Sequence, residues 1–179
     1  MTYPFEILTE LAERSESVFR ELPASENAQT HWTGIGFSLL GERFVVSMAE
    51  VAELMRVPPA TRLPGVKNFV LGIANVRGRL MAIIDLAMFF GERSRLPRSQ
   101  RRILAFDEEE MFLGFVVDES LGMQHFPSDS YSEDAEGLAD VYKPFTAGSY
   151  RAGGTVWPII SLAALAHDEN LEKLATAAN

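Results

Sequence analysis

Leu71-Gly72-Ile73-Ala74-Asn75-Val76-Arg77-Gly78-Arg79-Leu80-Met81-Ala82-Ile83-Ile84-Asp85-Leu86 is the stretch on which the fold turns. It reads as an apolar strand, a tight turn over Asn75 to Gly78 with a charged tip, a second apolar strand, and a helix opened by an aspartate. Phe89-Phe90-Gly91 then closes the block.

The rest of the chain has the same texture. With 179 residues, 47% of them hydrophobic, it can bury one substantial core or two small ones that share an interface. Its 13 glycines and 9 prolines lie between short Val/Ile/Leu/Phe runs, which predicts a mainly β protein. The formal charge of −9 opposes nonspecific binding to phosphate backbones or anionic membranes at long range, while leaving room for a local basic patch. Without cysteine there are no disulfides, thiolate metal sites or thiol nucleophiles. Met1-Thr2-Tyr3-Pro4-Phe5-Glu6 lacks a basic n-region and a continuous apolar h-region. No apolar run approaches the roughly 20 residues that span a bilayer. These features predict a soluble, cytoplasmic protein with no membrane insertion.

Residues 1–30 divide into a helix and a linker. Pro4 suits a first turn, and Phe5, Leu8, Ala12, Ser15, Phe19 and Leu22 recur at helical spacing before Pro23 stops the pattern. This amphipathic helix either packs on its own domain or docks a partner. In residues 31–179, Ile35 to Leu40 and Arg43 to Met48 predict a hairpin around Gly41-Glu42. A short helix is expected from Ala49 to Met55, before Pro58-Pro59. Glu92 to Arg102, with Arg93, Arg95, Arg98, Arg101 and Arg102, reads as a solvated linker between halves 31–92 and 101–165; the alternative is a contact for an acidic partner. Arg101 to Asp107 and Met111 to Asp118 predict a second hairpin across Glu108-Glu109-Glu110. Further strands are expected over Leu121 to Phe126, Tyr142 to Tyr150 and Thr155 to Ile160. A helical tail, residues 161–179, places Leu171, Leu174, Ala175 and Ala178 on one face.

The halves repeat. Phe44-Val45-Val46 returns as Phe115-Val116-Val117, and Gly78 to Leu86 returns as Gly154-Thr155-Val156-Trp157-Pro158-Ile159-Ile160-Ser161-Leu162. Two similar small β units in tandem follow. Asp85 and Ser161 fall at matching positions, and both are strong N-caps, so each replaced by Ala is expected to lose about 1 kcal/mol.

Catalytic constellations are missing from the sequence. His31, His125 and His167 have no metal or catalytic spacing and read as surface or cap residues. Gly36 to Gly41 has a phosphate loop's glycine spacing, but Glu42 and Arg43 stand where Lys and Ser or Thr belong. Asp107 and Glu108 lie in a turn, where solvent keeps them ordinary acids. The expectation is no enzyme, no cofactor and no metal. Met123-Gln124-His125-Phe126-Pro127 and Trp157 read as packing, with a binding surface as the alternative.

Several motifs together resemble the CheW-like proteins, adaptors that couple chemoreceptors to a histidine kinase. They are Met48-Ala49-Glu50-Val51, Gly72 to Gly78, Ile83-Ile84-Asp85-Leu86, Phe115-Val116-Val117-Asp118-Glu119 and Ile159-Ile160-Ser161-Leu162. Gly34-Ile35-Gly36-Phe37, Gln100-Arg101-Arg102 and Gly122 to Pro127 are similar to members serving pilus chemosensory systems that control twitching motility. Departures are Ala74, Ala82 and Ser161. The resemblance implies two five-stranded β-barrels around a shared core. It also implies two partners, the regulatory domain of a CheA-type kinase and the cytoplasmic tip of a methyl-accepting receptor.

By that resemblance the partner-binding residues are Glu50, Val51, Asn75, Val76, Arg77 and Gly78, with Arg77 first. A guanidinium at a hairpin tip presents a rigid fork of donors to a carboxylate or carbonyl. An ion pair between Glu50 and Arg77 is expected. A nucleic-acid- or small-ligand-binding barrel is the alternative class, although nucleic acid calls for an aromatic-studded basic face, and the aromatics here sit within apolar strands.

Overall fold

In the computed structural model, which describes residues 30–108 and 110–177, β4 (Val70–Val76) and β5 (Arg79–Asp85) form the expected hairpin. Val76 lies opposite Arg79, so Arg77 and Gly78 alone make the turn, with φ of 53° and 79°. Both central residues at positive φ define the type I′ turn, whose twist matches that of paired strands. Leu40-Gly41 joins β1 (His31–Leu39) to β2 (Glu42–Ser47) in the same way.

After β2 come β3 (Glu53–Arg56), the β4–β5 hairpin and α1 (Leu86–Phe89), then β6 (Arg102–Glu108), β7 (Met111–Val117), β8 (Glu119–Pro127) and the two-residue β9 (Tyr131–Ser132). β10 (Thr146–Ala152), β11 (Thr155–Ile160), α2 (Leu162–Ala166) and α3 (Glu169–Ala177) follow. The strands make two sheets. One has the order β3-β6-β7-β5-β4, the other β8-β1-β2-β11-β10-β9.

Setting β9 aside, the two orders are the same when each strand is replaced by its repeat counterpart, so the two similar β units expected from the repeat are both present, each with the five strands that the resemblance implies. Their first hairpins are exchanged. β1–β2 lies in the sheet of β8, β10 and β11, and β6–β7 in the sheet of β3, β4 and β5. Each of the halves 31–92 and 101–165 therefore contributes to both sheets. Burial explains the crossing. Phe44, Val45 and Val46 are all 0% exposed, as are Phe115, Val116 and Val117, and a strand buried on both faces belongs in the middle of a sheet. β2 reaches that position between β1 and the parallel β11, and β7 between β6 and the parallel β5.

Alternation along these strands divides the core. Phe44, Val46, Ile84, Leu104, Phe115, Val117 and Ile160 point into a cluster shared by both sheets. Their neighbours Ile83, Ile103 and Val116 enter the interior of the five-stranded sheet, and Val45 and Ile159 that of the other, beside Phe126, Tyr150 and Trp157. The period of two is what a pleated strand requires. Gly114 sits where an added Cβ would lie 2.6 Å from Met81 Sδ and 3.0 Å from Ile103 Cγ2. Gly114→Ala is expected to cost about 1–3 kcal/mol by overpacking. A denaturation midpoint equal to that of the parent would show that Met81 repacks freely.

Three expectations change. Residues 49–55 form no helix: Glu50 N–H donates to Ser47 O and Val51 N–H to Met48 O in a turn, after which Ala52 N–H donates to Ala105 O and β3 pairs with β6. The edge of β6 supplies the hydrogen bonds that a helix would otherwise have made, and this tertiary pairing overrides local preference. Residues 142–145 are not extended. Lys143–Phe145 is a short 3-10 turn with Pro144, and Tyr142 packs edge-on against Phe44 and Phe90. Arg101 leaves the solvated linker altogether and is 3% exposed.

The expected N-terminal helix lies outside the described residues, as do Ala178 and the side chains of Leu174 and Ala175; Leu171 is buried. His31 is exposed, His125 meets Thr33 Oγ1 at 2.9 Å, and His167 caps the end of α2.

Candidate partner-binding site

The β4–β5 tip is built by its own sequence. Asn75 Oδ1 accepts the Gly78 N–H at 3.0 Å, bracing the turn from within, while Val76 packs at the edge of the five-stranded sheet's interior. Gly78 adopts positive φ freely, but Arg77 at φ 53° carries a cost of about 1–2 kcal/mol that glycine would avoid. The Arg77 side chain remains 78% exposed and donates from Nη2 to Glu53 Oε1 at 2.7 Å. Next to it, Arg79 makes a two-pronged bond to Asp107, at 2.6 and 3.1 Å, with its guanidinium 4.5 Å above the Phe112 ring. The hydrogen bond from Arg79 holds the Asp107 carboxyl below the usual aspartate range. The same bond pushes the guanidinium up. What this pair adds to stability is present above the ordinary aspartate range and fades as pH falls through Asp107's lowered titration. Leu80, 63% exposed, lies on the opposite face of β5 from Arg79, across from Asn75.

The expected ion pair between Glu50 and Arg77 does not form. Arg77 takes Glu53, three residues further on, because the chain enters β3 where a helix was expected. Glu50 faces the start of α2 instead. Its carboxylate accepts from Leu162 N–H at 3.0 Å, Ala163 N–H at 3.3 Å and the Ser161 hydroxyl at 3.1 Å. These amides open a helix and have no partner within it, so the carboxylate satisfies donors that would otherwise be orphaned. Glu50→Ala is expected to cost about 1–2 kcal/mol, read by chemical denaturation. A loss below a few tenths would mean that water replaces the carboxylate. Val51 packs, half-buried, against the shared core.

Asp85 and Ser161 cap the two matching helices as expected: Asp85 Oδ1 accepts Met88 N–H at 3.3 Å, and Ser161 Oγ accepts Ala164 N–H at 3.1 Å. Asp85 does more. Arg101 grips it with two bonds, at 2.8 and 2.9 Å, and also donates from Nε to Val117 O and lies 3.4 Å from Asp118. Asp118 in turn accepts Leu40 N–H at 2.9 Å and the Ser94 hydroxyl. The sequence holds a sign of this. Where one repeat caps with neutral serine and the other with aspartate, a buried charge demands a partner. Among the described residues no cluster of His, Asp or Glu could hold a metal ion.

Comparison with known proteins places this geometry. The CheW-like domain profile matches residues 33–170. Protein PilI of Pseudomonas aeruginosa is 42% identical over 166 residues, 93% of each chain. The chemotaxis protein CheW of Bacillus subtilis is 29% identical over 90 residues, covering 48% of this chain and 55% of its own. The crystal structure of the scaffolding protein TtCheW from Thermoanaerobacter tengcongensis superposes with a TM-score of 0.69 at 23% identity, covering 79% of this chain and 96% of that one, a likeness of fold. The chain belongs to the CheW-like domain family.

Proposed function

We propose that this protein is a non-enzymatic coupling adaptor that binds the cytoplasmic tip of a methyl-accepting chemoreceptor and the regulatory domain of a CheA-type histidine kinase at once. The extent of its similarity to PilI supports a pilus chemosensory system controlling twitching motility, and a cytoplasmic location follows from such partners. No helix among the described residues is long and apolar enough to cross a membrane.

The observation that carries this reading is Arg77 itself. A long, charged residue stands at positive φ, where glycine would cost less, with its side chain held outward by Glu53. Backbone strain kept at an exposed tip is a reason to look for a partner. The fork of donors can meet a carboxylate or a carbonyl. Asn75, Gly78 and Val76 fix the angle of the tip. Glu50 and Val51 act one step back, by holding the crossing between the two sheets. Function here is a linkage free energy between two bound partners and needs no reaction.

The test is retention of purified kinase regulatory domain and purified receptor tip by the immobilised full chain, each alone and both together. Binding of each alone, with both retained together, supports the adaptor. Retention of neither overturns it.

A further inference from the structure

The connection from α1 to β6 carries a second charged surface that the hairpin tip does not use. Arg93, Arg95 and Arg98 fall within six residues, all exposed, and none has a carboxylate partner among the described residues. Elsewhere Arg77, Arg79 and Arg151 are each paired to an acid and Arg43 lies over the Trp157 ring, while the exposed Arg56 and Arg62 stand singly, six residues apart. In a chain of formal charge −9 with 25 acidic residues, three such guanidinium groups in one short stretch stand out against the surrounding field.

The stretch is held in place. Gly91 N–H donates to Met88 O and Glu92 N–H to Ala87 O at its start. In its middle the Ser94 hydroxyl binds the buried Asp118 and Leu96 N–H donates to Ser94 Oγ; at its end Arg101 is locked to Asp85. Arg93 and Arg95 line a cleft of about 350 Å³ with Leu40, Leu96, Glu92 and Asp118. That is room for side chains as well as water, whose share of liquid volume is about 30 Å³. A backbone already fixed spares a ligand the cost of ordering it.

We propose that Arg93, Arg95 and Arg98 form a docking surface for a short acidic segment of a protein partner, with acidic side chains entering the cleft beside Leu40 and Leu96. The net charge selects the occupant. A long polyanion, whether nucleic acid or a membrane surface, extends past the patch into the repulsive field of the whole chain, whereas a few carboxylates lie within about 8 Å, the screening length at physiological salt. Asp118 is buried, with Leu40 N–H and Ser94 on its oxygens, and shares the Arg101 guanidinium with Asp85, so the one negative charge left on that cluster and the charge of Glu92 are outweighed by the three exposed arginines. Among the described residues that line the cleft, Glu92 is the one exposed acid.

The experiment titrates the isotope-labelled full chain with a peptide of about ten residues alternating Glu and Ser, at low and high salt, and maps amide shifts. The expected result is shifts concentrated in residues 91–100, weakening with salt. The Arg93→Glu/Arg95→Glu double variant should bind about tenfold more weakly with unchanged thermal unfolding, since neither side chain holds the fold. Arg56→Glu/Arg62→Glu, reversing two arginines in β3 and the connection after it, should bind as the parent does. Arg77→Glu should also leave peptide binding intact, which separates this surface from the coupling site. Equal losses in all three variants, or shifts spread over every exposed arginine, would overturn the proposal. So would tighter binding at residues 91–100 by an oligonucleotide or by phosphatidylglycerol vesicles than by the peptide.

Discussion

Replacing Arg101 by methionine is expected to cost about 3–5 kcal/mol of folding stability, well beyond the loss of any helix cap or exposed ion pair in this chain. The side chain is 4% exposed and its guanidinium is matched to Asp85 by two bonds, with a third to Val117 O. Removing it leaves the carboxylate of Asp85 buried and unbalanced, and a buried charge without its partner is far more costly than the pair is stabilising. Asp85→Ala should likewise exceed the roughly 1 kcal/mol of a lost cap, because it strands Arg101. The informative variant is double. With Asp85→Ser and Arg101→Met together, the α1 start has the neutral cap that Ser161 provides for α2, and the share of the loss that comes from a stranded Asp85 should be recovered, leaving the share from Asp118 and Val117 O, which the guanidinium also serves. Chemical denaturation of the single and double variants gives the coupling energy. Additive losses would mean that the two side chains act independently, contrary to the geometry.

This pair also marks the boundary of what the sequence makes legible. Both helix caps, the hairpins about Gly41 and Gly78 and the repeat of Gly78–Leu86 in Gly154–Leu162 are local matters of turn chemistry and alternation, and they stand in the structure as read. Pairing between distant segments is not local. Arg101 looks like its neighbours Arg98 and Arg102 until β7 and α1 close around it. The exchange of hairpins is invisible for the same reason, since Phe44-Val45-Val46 states that both faces are buried without naming the strands alongside. The partner of Arg77 is hidden because an apolar run too short to separate helix from strand reads as helix, which puts Glu50 and not Glu53 beside the tip. Within the candidate site, the tight turn over Asn75 to Gly78 is legible, and the commitment of Glu50 to α2 is not.

Arg77→Glu is expected to weaken partner binding by about 30-fold or more, the scale of an arginine at the centre of an interface. The reversed charge faces Glu53, so the tip loses its donor fork and gains repulsion within itself. Stability should change little. The exposed ion pair is worth about 0–1 kcal/mol, and the cost of positive φ is borne by either side chain. Arg77→Gly is the sharper variant. It relieves the positive-φ cost of about 1–2 kcal/mol while losing the ion pair and adding freedom to the unfolded chain, so folding stability should shift by no more than about 1 kcal/mol in either direction. A tip whose backbone conformation glycine meets without strain, yet which carries arginine, should lose binding and keep its fold.

The most direct measurement is the autophosphorylation rate of the kinase, reconstituted with its receptor, in the presence of the full chain or of the Arg77→Gly variant at matched folded concentration. The wild-type chain is expected to make the rate depend on the receptor, and Arg77→Gly to lose most of that dependence although it remains folded. Equal receptor dependence with both chains would contradict the account and leave the tip as no more than the connection between β4 and β5.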